Sequence, residues 1–424
     1  MTLRAAAPIL RAMLNWIWAA FFLIAFAVAV WQAAVGGKPE VMQAVVAALF
    51  DSSKTAFEIA LGLTGVMTLW LGLMKIAEKA GITEMIAAAV GPLFRRLFPG
   101  IPQGHPASGA IVMNRSANML GLDNAATPLG LKAMKELQSL NPEPERATND
   151  MVLFMVMNAS SVTLVPISIM TFRAQLGAAN PADVFVPILI ATYIADISGL
   201  LLVASIQKLN LFNGVVLAWL GALTLAVGGL VWYFAQLPHD AVAVQSAILA
   251  NAILIGLIAS FLIMGAWRKL PMYETFIDGA KEGFTVAVGI IPYLVAILVA
   301  VGCLRASGVL EAFLGAIKTG AANLSWDTRW VDAMPTALIK PLSGGGARGM
   351  MVETMKTLGA DSFAGRLSCV IQGSTETTFY VLAVYFGSVG VKKTRHALPC
   401  ALASEVFGVL AAIGVTYLFF GAVR

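Results

Sequence analysis

The sequence predicts an all-α polytopic membrane protein built from two inverted-topology repeats, each with a re-entrant hairpin. Hydrophobic residues make up 59% of the 424-residue chain and charged residues only 12%, whereas a soluble domain carries about 25% charged residues. Several apolar segments can cross roughly 30 Å of hydrocarbon, which takes about 20 residues. In addition, residues of the first half recur at a constant distance in the second half.

The spacing of the shared residues reveals the repeat. Four residues recur together at an offset of 227 positions, Asp51, Lys54, Phe57 and Gly62 as Asp278, Lys281, Phe284 and Gly289. The same offset carries Ser116 onto Ser343. Inverted duplication is the architecture of many secondary transporters, whose substrate site lies where the halves meet.

The apolar pattern predicts about nine full spans and two broken segments. The spans cover residues 12–34, 56–75, 149–170, 183–207, 211–235, 241–267, 284–305, 362–386 and 397–420. Between 80 and 148, and between 306 and 361, Gly, Pro, Asn and Ser interrupt the pattern. We expect an amphipathic helix followed by a re-entrant hairpin in each, since protein or water can satisfy the backbone there.

The basic residues predict the orientation and the domain boundaries. Arg4 and Arg11 place the N-terminus in the cytoplasm, and the loop at 236–240 lacks Lys and Arg, as the positive-inside rule requires of an outer loop. Nine crossings of a bacterial inner (cytoplasmic) membrane then leave the C-terminus outside. Residues 1–208 form the first repeat and 239–424 the second. The linker helix within 209–238 has no counterpart, and its extra crossing inverts the second repeat.

The two hairpins contain the first group of candidate binding residues. They are Asn114, Ser116, Asn118 and Asn124 in the first hairpin, and Ser343, Gly344, Gly345 and Gly346 in the second. Successive glycines would each cost about 1 kcal/mol in a helix. We therefore predict an unwound tip whose backbone N–H groups face an anion or a polar substrate atom. The alternative is a tight turn packed against a neighbouring helix.

Two predicted spans contain the second group of candidate binding residues. They are Asn158, Ser160 and Ser161 within 149–170, and Gln372, Ser374, Thr375, Glu376 and Thr377 within 362–386. Polar clusters are costly in lipid and are expected to face the protein interior. Glu376 is predicted to bind a coupling ion, carry a proton or accept a substrate hydrogen bond. Its alternative role is that of a structural partner for Arg348 or Lys340.

Asp196 and Glu405 are a third candidate pair, because they occupy the same place in the last helix of each repeat. They are predicted as ion-coupling or structural carboxylates, and both capping of hairpin amides and substrate contact stay open. The three cysteines stand singly and are expected to be packing residues. No metal or cofactor is expected beyond a coupling Na⁺ or H⁺.

Long motifs in these segments resemble a known family. Residues 118–134 resemble spore maturation protein A, and residues 341–349 with 372–380 resemble spore maturation protein B. The resemblances cover about 1–208 and about 240–424, which identifies a natural fusion of the two. Both belong to a grouping named for a nucleoside-recognition or "Gate" domain, which also includes the concentrative nucleoside transporters and the membrane part of ferrous iron transporter B. The stretch 372–377 is similar to the hairpin tips by which nucleoside carriers hold substrate.

The favoured function is an ion-coupled secondary transporter of a small polar solute, either nucleoside-like or related to the cell envelope. The alternative is a non-transporting membrane factor in spore or cell-envelope (peptidoglycan) maturation. An intramembrane enzyme is disfavoured because the sequence lacks GxSxG and HExxH motifs. The expected partners are the lipid bilayer and a small polar solute, and a homo-oligomer stays open. Nucleic acid is not expected, since Lys and Arg flank the apolar spans and form no basic stripe.

Overall fold

A computed structural model describes residues 3–121, 123–160, 162–164 and 166–422, and over these residues the chain folds into helices without a strand. Helices that belong to the first half are α1 (Leu3–Ala34), α2 (Glu40–Lys79), α3 (Ile82–Leu97), α4 (Pro106–Met119), α5 (Asp123–Ser139), α6 (Asn149–Ala159), α7 (Ile167–Gln175) and α8 (Phe185–Gln207). One helix, α9 (Gly214–Gln236), lies in the predicted linker, and α10 (His239–Trp267) is the first helix of the second half. The second half continues with α11 (Met272–Ala306), α12 (Val309–Asn323), α13 (Met334–Ile339), α14 (Gly344–Leu358), α15 (Phe363–Ser374), α16 (Thr378–Ser388) and α17 (Ala397–Phe420).

The order of elements repeats. A long helix (α2 or α11) is followed by a shorter one (α3 or α12), a helical hairpin (α4–α5 or α13–α14), two short helices (α6–α7 or α15–α16) and a final long helix (α8 or α17). A 3₁₀ turn, Arg329–Ala333, leads into α13. The hairpins occupy the interrupted stretches 80–148 and 306–361, in which the sequence analysis placed them.

The number of continuous spans differs from the prediction. Seven helices within the described ranges are long and apolar enough to cross a membrane. The predicted continuous spans 149–170 and 362–386 are wrong, because the helix is interrupted between α6 and α7 and again between α15 and α16. The polar clusters explain the breaks. Backbone N–H groups of the broken segments bond other segments, as in Glu376 N–H to Ala159 O (2.8 Å) and Leu164 N–H to Met119 O (2.8 Å).

Helices α2 and α11, the corresponding long helices of the two halves, pack antiparallel through reciprocal contacts. A Cβ added at Gly279 would lie 2.6 Å from Lys75 Cβ, and one added at Gly302 would lie 2.3 Å from Ser52 Oγ. At the offset of 227, Gly279 corresponds to Ser52 and Gly302 to Lys75. Each contact is therefore the two-fold mate of the other, as in an isologous interface.

The last helices of the halves, α8 and α17, show the same reciprocity. A Cβ at Gly199 would lie 3.2 Å from Ser404 Oγ, and a Cβ at Gly408 would lie 3.2 Å from Ala195 Cβ. The offset of 209 that relates Asp196 to Glu405 also relates Gly199 to Gly408 and Ala195 to Ser404. Each of the two contacts is therefore the equivalent of the other when the halves are exchanged. Such antiparallel packing of corresponding helices is what an inverted duplication requires, and it supports the predicted relation between the halves.

The connecting loops form contacts at two opposite ends of the molecule. At one end, Lys392 N–H donates to Glu145 O (2.8 Å) and Ala147 N–H to Lys393 O (3.0 Å). At the other end, Ala179 N–H donates to the Asp361 carboxylate (2.8 Å). We call these the 389–396 end and the 359–362 end.

A buried ion cluster stabilises the 359–362 end. Arg173 is fully buried and lies 2.7 Å from Asp183 and 2.9 Å from Asp361. Arg366 donates to the other oxygen of Asp183 at 2.8 Å. The two guanidinium groups compensate the buried carboxylates, because each charge has a partner and further hydrogen bonds. Arg173, for example, also donates to Ala360 O (2.6 Å).

Candidate functional site

A cavity of about 410 Å³ lies between α2, α11, α14 and the two broken helices. Ligand pockets typically measure 300–1,000 Å³. The cavity faces the 389–396 end, where α2 finishes. The position of α2 follows from the chain path. Gln207, the last residue of α8, contacts His396 at the 389–396 end. The chain then crosses twice, through α9 and α10, and returns to the same end at Arg268, which lies beside Gly81, just after α2.

The cavity wall contains three cationic side chains and three carboxylates. They are Lys75, Lys340, Arg348, Glu78, Glu282 and Glu376. Three of them form a network at the mouth, with Lys75 Nζ 3.1 Å from Glu78 and 3.4 Å from Glu282. These mouth carboxylates are about half exposed, at 43% and 50%, so the network is solvated and contributes little to stability.

The inner wall is formed by the break between α15 and α16 together with the start of α14. Gln372 is 8% exposed, and its Oε1 atom has no hydrogen-bond partner among the described residues. Lys340 is 4% exposed and donates from Nζ to Gln372 O at 2.8 Å. The Glu376 side chain is exposed and lines the cavity. A buried polar atom without a partner is costly, so this wall is suited to a polar ligand.

The triple glycine begins a helix, and the predicted unwound tip is therefore wrong. Gly344, Gly345 and Gly346 form the first turn of α14, and Ser343 Oγ caps it by accepting from Gly346 N–H at 3.0 Å. Close packing favours glycine here, since a Cβ at Gly344 would lie 2.7 Å from Thr377 Oγ1. First-turn amides lack helical acceptors, so the exposed backbone donors expected from the sequence are supplied by a helix N-terminus.

Four of the predicted binding residues line the cavity, namely Gly344, Gln372, Thr375 and Glu376. Others lie outside its wall, namely Asn114, Ser116, Asn118, Asn158, Ser160, Ser343, Gly345, Gly346, Ser374, Thr377, Asp196 and Glu405. Ser161 and the side chain of Asn124 fall outside the described part of the structure. The role of each of these residues in ligand binding stays a prediction.

The polar residues of the first hairpin bond within the protein. Asn114 Nδ2 donates to Ala126 O (2.8 Å) and so ties α4 to α5. Ser116 Oγ donates to Val112 O one turn earlier in α4 (2.8 Å). Asn118 Nδ2 donates to Asn158 Oδ1 (3.0 Å), which joins the hairpin to α6. These bonds position the broken helix against the hairpin.

The two symmetric carboxylates have different partners. Asp196 accepts Arg115 Nη2 at 3.1 Å on both oxygens and Ser160 Oγ at 3.1 Å on one. Glu405 accepts from Thr378 N–H (3.1 Å), the first residue of α16. Asp196 therefore fixes the first hairpin, and Glu405 caps the N-terminus of a broken helix. Of the two, only Glu405 bonds a backbone amide in the described part of the chain, because the partners of Asp196 there are side chains. Substrate contact of either carboxylate stays a prediction.

Sequence reasoning missed several residues of the cavity wall. Lys75, Glu78 and Glu282 line the cavity, and none of them was a candidate binding residue. The signal available in the sequence was the clustering of charges near the end of α2 and the start of α11. Gly121 and Thr163 also line the cavity, and they lie in the motif at 118–134 and in the predicted span 149–170.

Toward the 359–362 end, α14 is bonded to both long helices. Arg305 of α11 donates from Nε to Glu353 Oε1 of α14 at 3.1 Å. Lys356 of α14 donates to Thr55 Oγ1 of α2 at 3.1 Å. The second hairpin is thus joined to both long helices at this end. The mouth network at the other end joins only α2 and α11.

Comparison with known proteins supports the family resemblance. The Gate family model, described as nucleoside recognition, matches residues 60–176 and 287–392, more than half of the chain. "Spore maturation protein B" of Bacillus subtilis (strain 168) is 44% identical over 166 residues, which cover 39% of this chain and 92% of the relative. "Spore maturation protein A" of the same organism is 40% identical over 161 residues, covering 38% of this chain and 82% of the relative.

A solved structure titled "Structure of CNTnw in an inward-facing substrate-bound state" is 14% identical, with a TM-score of 0.36, over 95% of this chain and 91% of that chain. The family predicted from the sequence motifs is confirmed by the family model and the two curated relatives. With seven apolar helices long enough to span a bilayer in its described part, the protein is a multi-pass membrane protein. It belongs to the nucleoside recognition (Gate) family and is homologous to both spore maturation protein A and spore maturation protein B.

Proposed function

We propose that the protein is a secondary transporter of a small polar solute, with its substrate site in the cavity between the two halves. The charged cavity carries the proposal, because it is bounded by both broken helices and by the long helices α2 and α11 of the two halves. In transporters built from inverted repeats the site lies at the repeat interface, beside discontinuous helices. The membership in a family described as nucleoside recognition adds support.

The reciprocal packing of the halves supports alternating access. Because α2 packs on α11 and α8 on α17 by two-fold-related contacts, exchanging the conformations of the two hairpins would open the 359–362 end and close the other. Arg305 and Glu353 would separate in that exchange. The 389–396 end carries Lys392, Lys393 and Arg395, so by the positive-inside rule it would face the cytoplasm of a bacterial inner membrane.

Glu376 is our candidate for the residue that couples an ion or accepts the substrate. Its carboxylate faces the cavity and forms no salt bridge within 4.0 Å among the residues the structure describes. Its backbone N–H bonds Ala159 O of the first half. A change of charge on this side chain would therefore act where the two broken helices meet. Na⁺ or H⁺ is the proposed coupling ion.

The binding step is tested by thermal unfolding of the purified protein with nucleosides, dicarboxylates, amino acids and cell-wall fragments. A ligand at 100 times its Kd stabilises the folded state by about 2.7 kcal/mol. We expect Glu376→Gln to abolish this stabilisation without loss of folding. Glu84→Gln is the matched control, since Glu84 is exposed on α3 and is not part of the cavity wall. Equal ligand stabilisation in both variants would remove Glu376 from the site.

The transport step is tested by uptake of the same ligand into proteoliposomes. Accumulation that depends on a Na⁺ or H⁺ gradient would support coupled transport. Binding without flux would favour the alternative, a non-transporting membrane factor in spore or envelope maturation.

A further inference from the structure

We propose that the solute carries an oxyanion group, a carboxylate or a phosphate, which binds Arg348 and the first-turn amides of α14. This inference rests on the proposed site and deepens it by naming a chemical class of substrate. It is carried by three independent features of the inner cavity wall, which are an N-terminal helix turn, a guanidinium without a counter-ion and a buried amide oxygen without a partner.

The first feature is the N-terminus of α14, a helix of fifteen residues. Ser343 Oγ accepts from Gly346 N–H, and among the described residues no acceptor engages the N–H groups of Gly344 and Gly345. Gly344 lines the cavity. Free amides and the positive end of the helix dipole together favour an anion at this position.

The second feature is Arg348, which lies four residues after Gly344 and therefore on the same face of α14. Its side chain lines the cavity, and its Cζ atom lies 5.9 Å from the centroid of the Phe172 ring. No carboxylate lies within 4.0 Å of its guanidinium in the described parts of the chain. Charged side chains within membrane proteins are usually paired, and a guanidinium matches the two oxygens of a carboxylate or phosphate.

The third feature is the buried Oε1 atom of Gln372, which has no partner among the described residues. It requires a hydrogen-bond donor, so the solute is expected to present a hydroxyl, amine or amide N–H beside its oxyanion. The Glu376 carboxylate in the same wall would accept from a second donor or hold the coupling cation. An uncharged nucleoside provides the donors and leaves Arg348 without a counter-ion.

The charges of the wall are consistent with this polarity. Lys340 lies next to Gln372 in the same wall and donates to its carbonyl oxygen. At the mouth, Lys75 already interacts with Glu78 and Glu282. Arg348 is therefore the cationic side chain of the wall that we assign to the solute.

The test uses the full-length protein in detergent and compares sodium phosphate, sodium acetate and sodium chloride at matched ionic strength. We expect phosphate or acetate to raise the unfolding temperature of the wild type above that in chloride, by about 2 °C or more near saturation. Arg348→Gln should lose this difference. Arg96→Gln should keep it, because Arg96 is exposed on α3 and outside the cavity wall. Any smaller response that remains in Arg348→Gln measures the general salting effect of phosphate.

A second variant guards against a folding defect in the first. Arg348→Lys keeps the charge and loses the two-pronged geometry, so it should fold and show an anion affinity lowered about tenfold. A response to phosphate alone would assign the phosphate class, and a response to acetate alone the carboxylate class. The inference is overturned if neither anion exceeds chloride, or if Arg348→Gln responds like Arg96→Gln.

Failure of this inference and failure of the transport proposal give different results. Anion binding that depends on Arg348 without any solute flux would retain the inference and reject transport. Flux of an uncharged nucleoside that is unchanged in Arg348→Gln would reject the inference and retain transport.

Discussion

The close packing of α2 on α11 can be tested by replacing Gly279 with alanine. The added Cβ would lie 2.4 Å from Leu71 O and 3.0 Å from Gly72 Cα. The first distance is 1.0 Å shorter than the 3.4 Å at which ordinary contact begins. Both atoms belong to the backbone of α2 and cannot rotate away, so the helices must separate by about 1 Å. Overpacking of this kind costs about 1–3 kcal/mol.

The matched control is Gly289→Ala in the same helix. Gly289 is exposed and has no atom within 4 Å of an added Cβ. Alanine is favoured over glycine in a helix interior by about 1 kcal/mol, so this variant should be as stable as the wild type or more stable. Gly302→Ala should fall between the two, because its Cβ meets the Ser52 hydroxyl at 2.3 Å, and a side chain can rotate.

Thermal unfolding in detergent, followed by tryptophan fluorescence, ranks the three variants. We expect Gly279→Ala to unfold at a temperature several degrees below that of Gly289→Ala. If Gly279→Ala were as stable as Gly289→Ala, the close antiparallel packing of α2 on α11 would be refuted.

Two further changes probe the polar contacts around the site and at the 359–362 end. Asp196→Asn should destabilise the protein by about 3–5 kcal/mol in thermal unfolding, because it leaves the charge of Arg115, which is 3% exposed, buried without compensation. The double variant Asp196→Leu with Arg115→Met removes both charges and should restore most of this loss. The hydrogen bond from Arg329 lowers the pKa of Asp327 below its ordinary value near 3.8. The ionised carboxylate therefore stabilises the fold above pH 3.8, and this stabilisation is lost as the pH falls through the folded-state pKa. Unfolding temperatures measured across that range should fall less steeply in Asp327→Asn than in the wild type, and equal slopes would contradict the assignment.

The sequence was sufficient to predict the all-α class, the family and the position of both hairpins. These follow from composition, from apolar periodicity and from the residues shared by the two halves. The polar clusters in 149–170 and 362–386 were also recognised, although the breaks in the helices were not. A polar run shows that a segment cannot face lipid, but whether the helix continues depends on acceptors in other segments, such as Ala159 O for Glu376 N–H.

The site was harder to predict because side-chain direction depends on packing. Asn114 and Ser116 lie in a polar stretch of the first hairpin, yet their hydrogen bonds are made within that hairpin. Lys75 and Glu282 are 207 positions apart in the sequence, and only the packing of α2 on α11 brings Lys75 Nζ to 3.4 Å from the Glu282 carboxylate at the cavity mouth. Glu376 was identified only from its position within the predicted apolar span 362–386, because an ionisable group inside such a span is unusual.

Two-sided accessibility of the cavity tests alternating access most directly. The substitution Ser168→Cys adds one cysteine to the cavity wall. It would be labelled in sealed proteoliposomes with a membrane-impermeant maleimide added to either side. The wild type provides the background, since its own cysteines are buried, namely Cys303, Cys369 and Cys400. Cysteines at Lys393 and Asp361 would report which end of the molecule faces outward.

We expect the cysteine at position 168 to react from the 389–396 end and, more slowly, from the 359–362 end, because the cavity opens to each in turn. Reaction from one end alone under every condition would contradict the proposal that this cavity alternates between the two sides of the membrane.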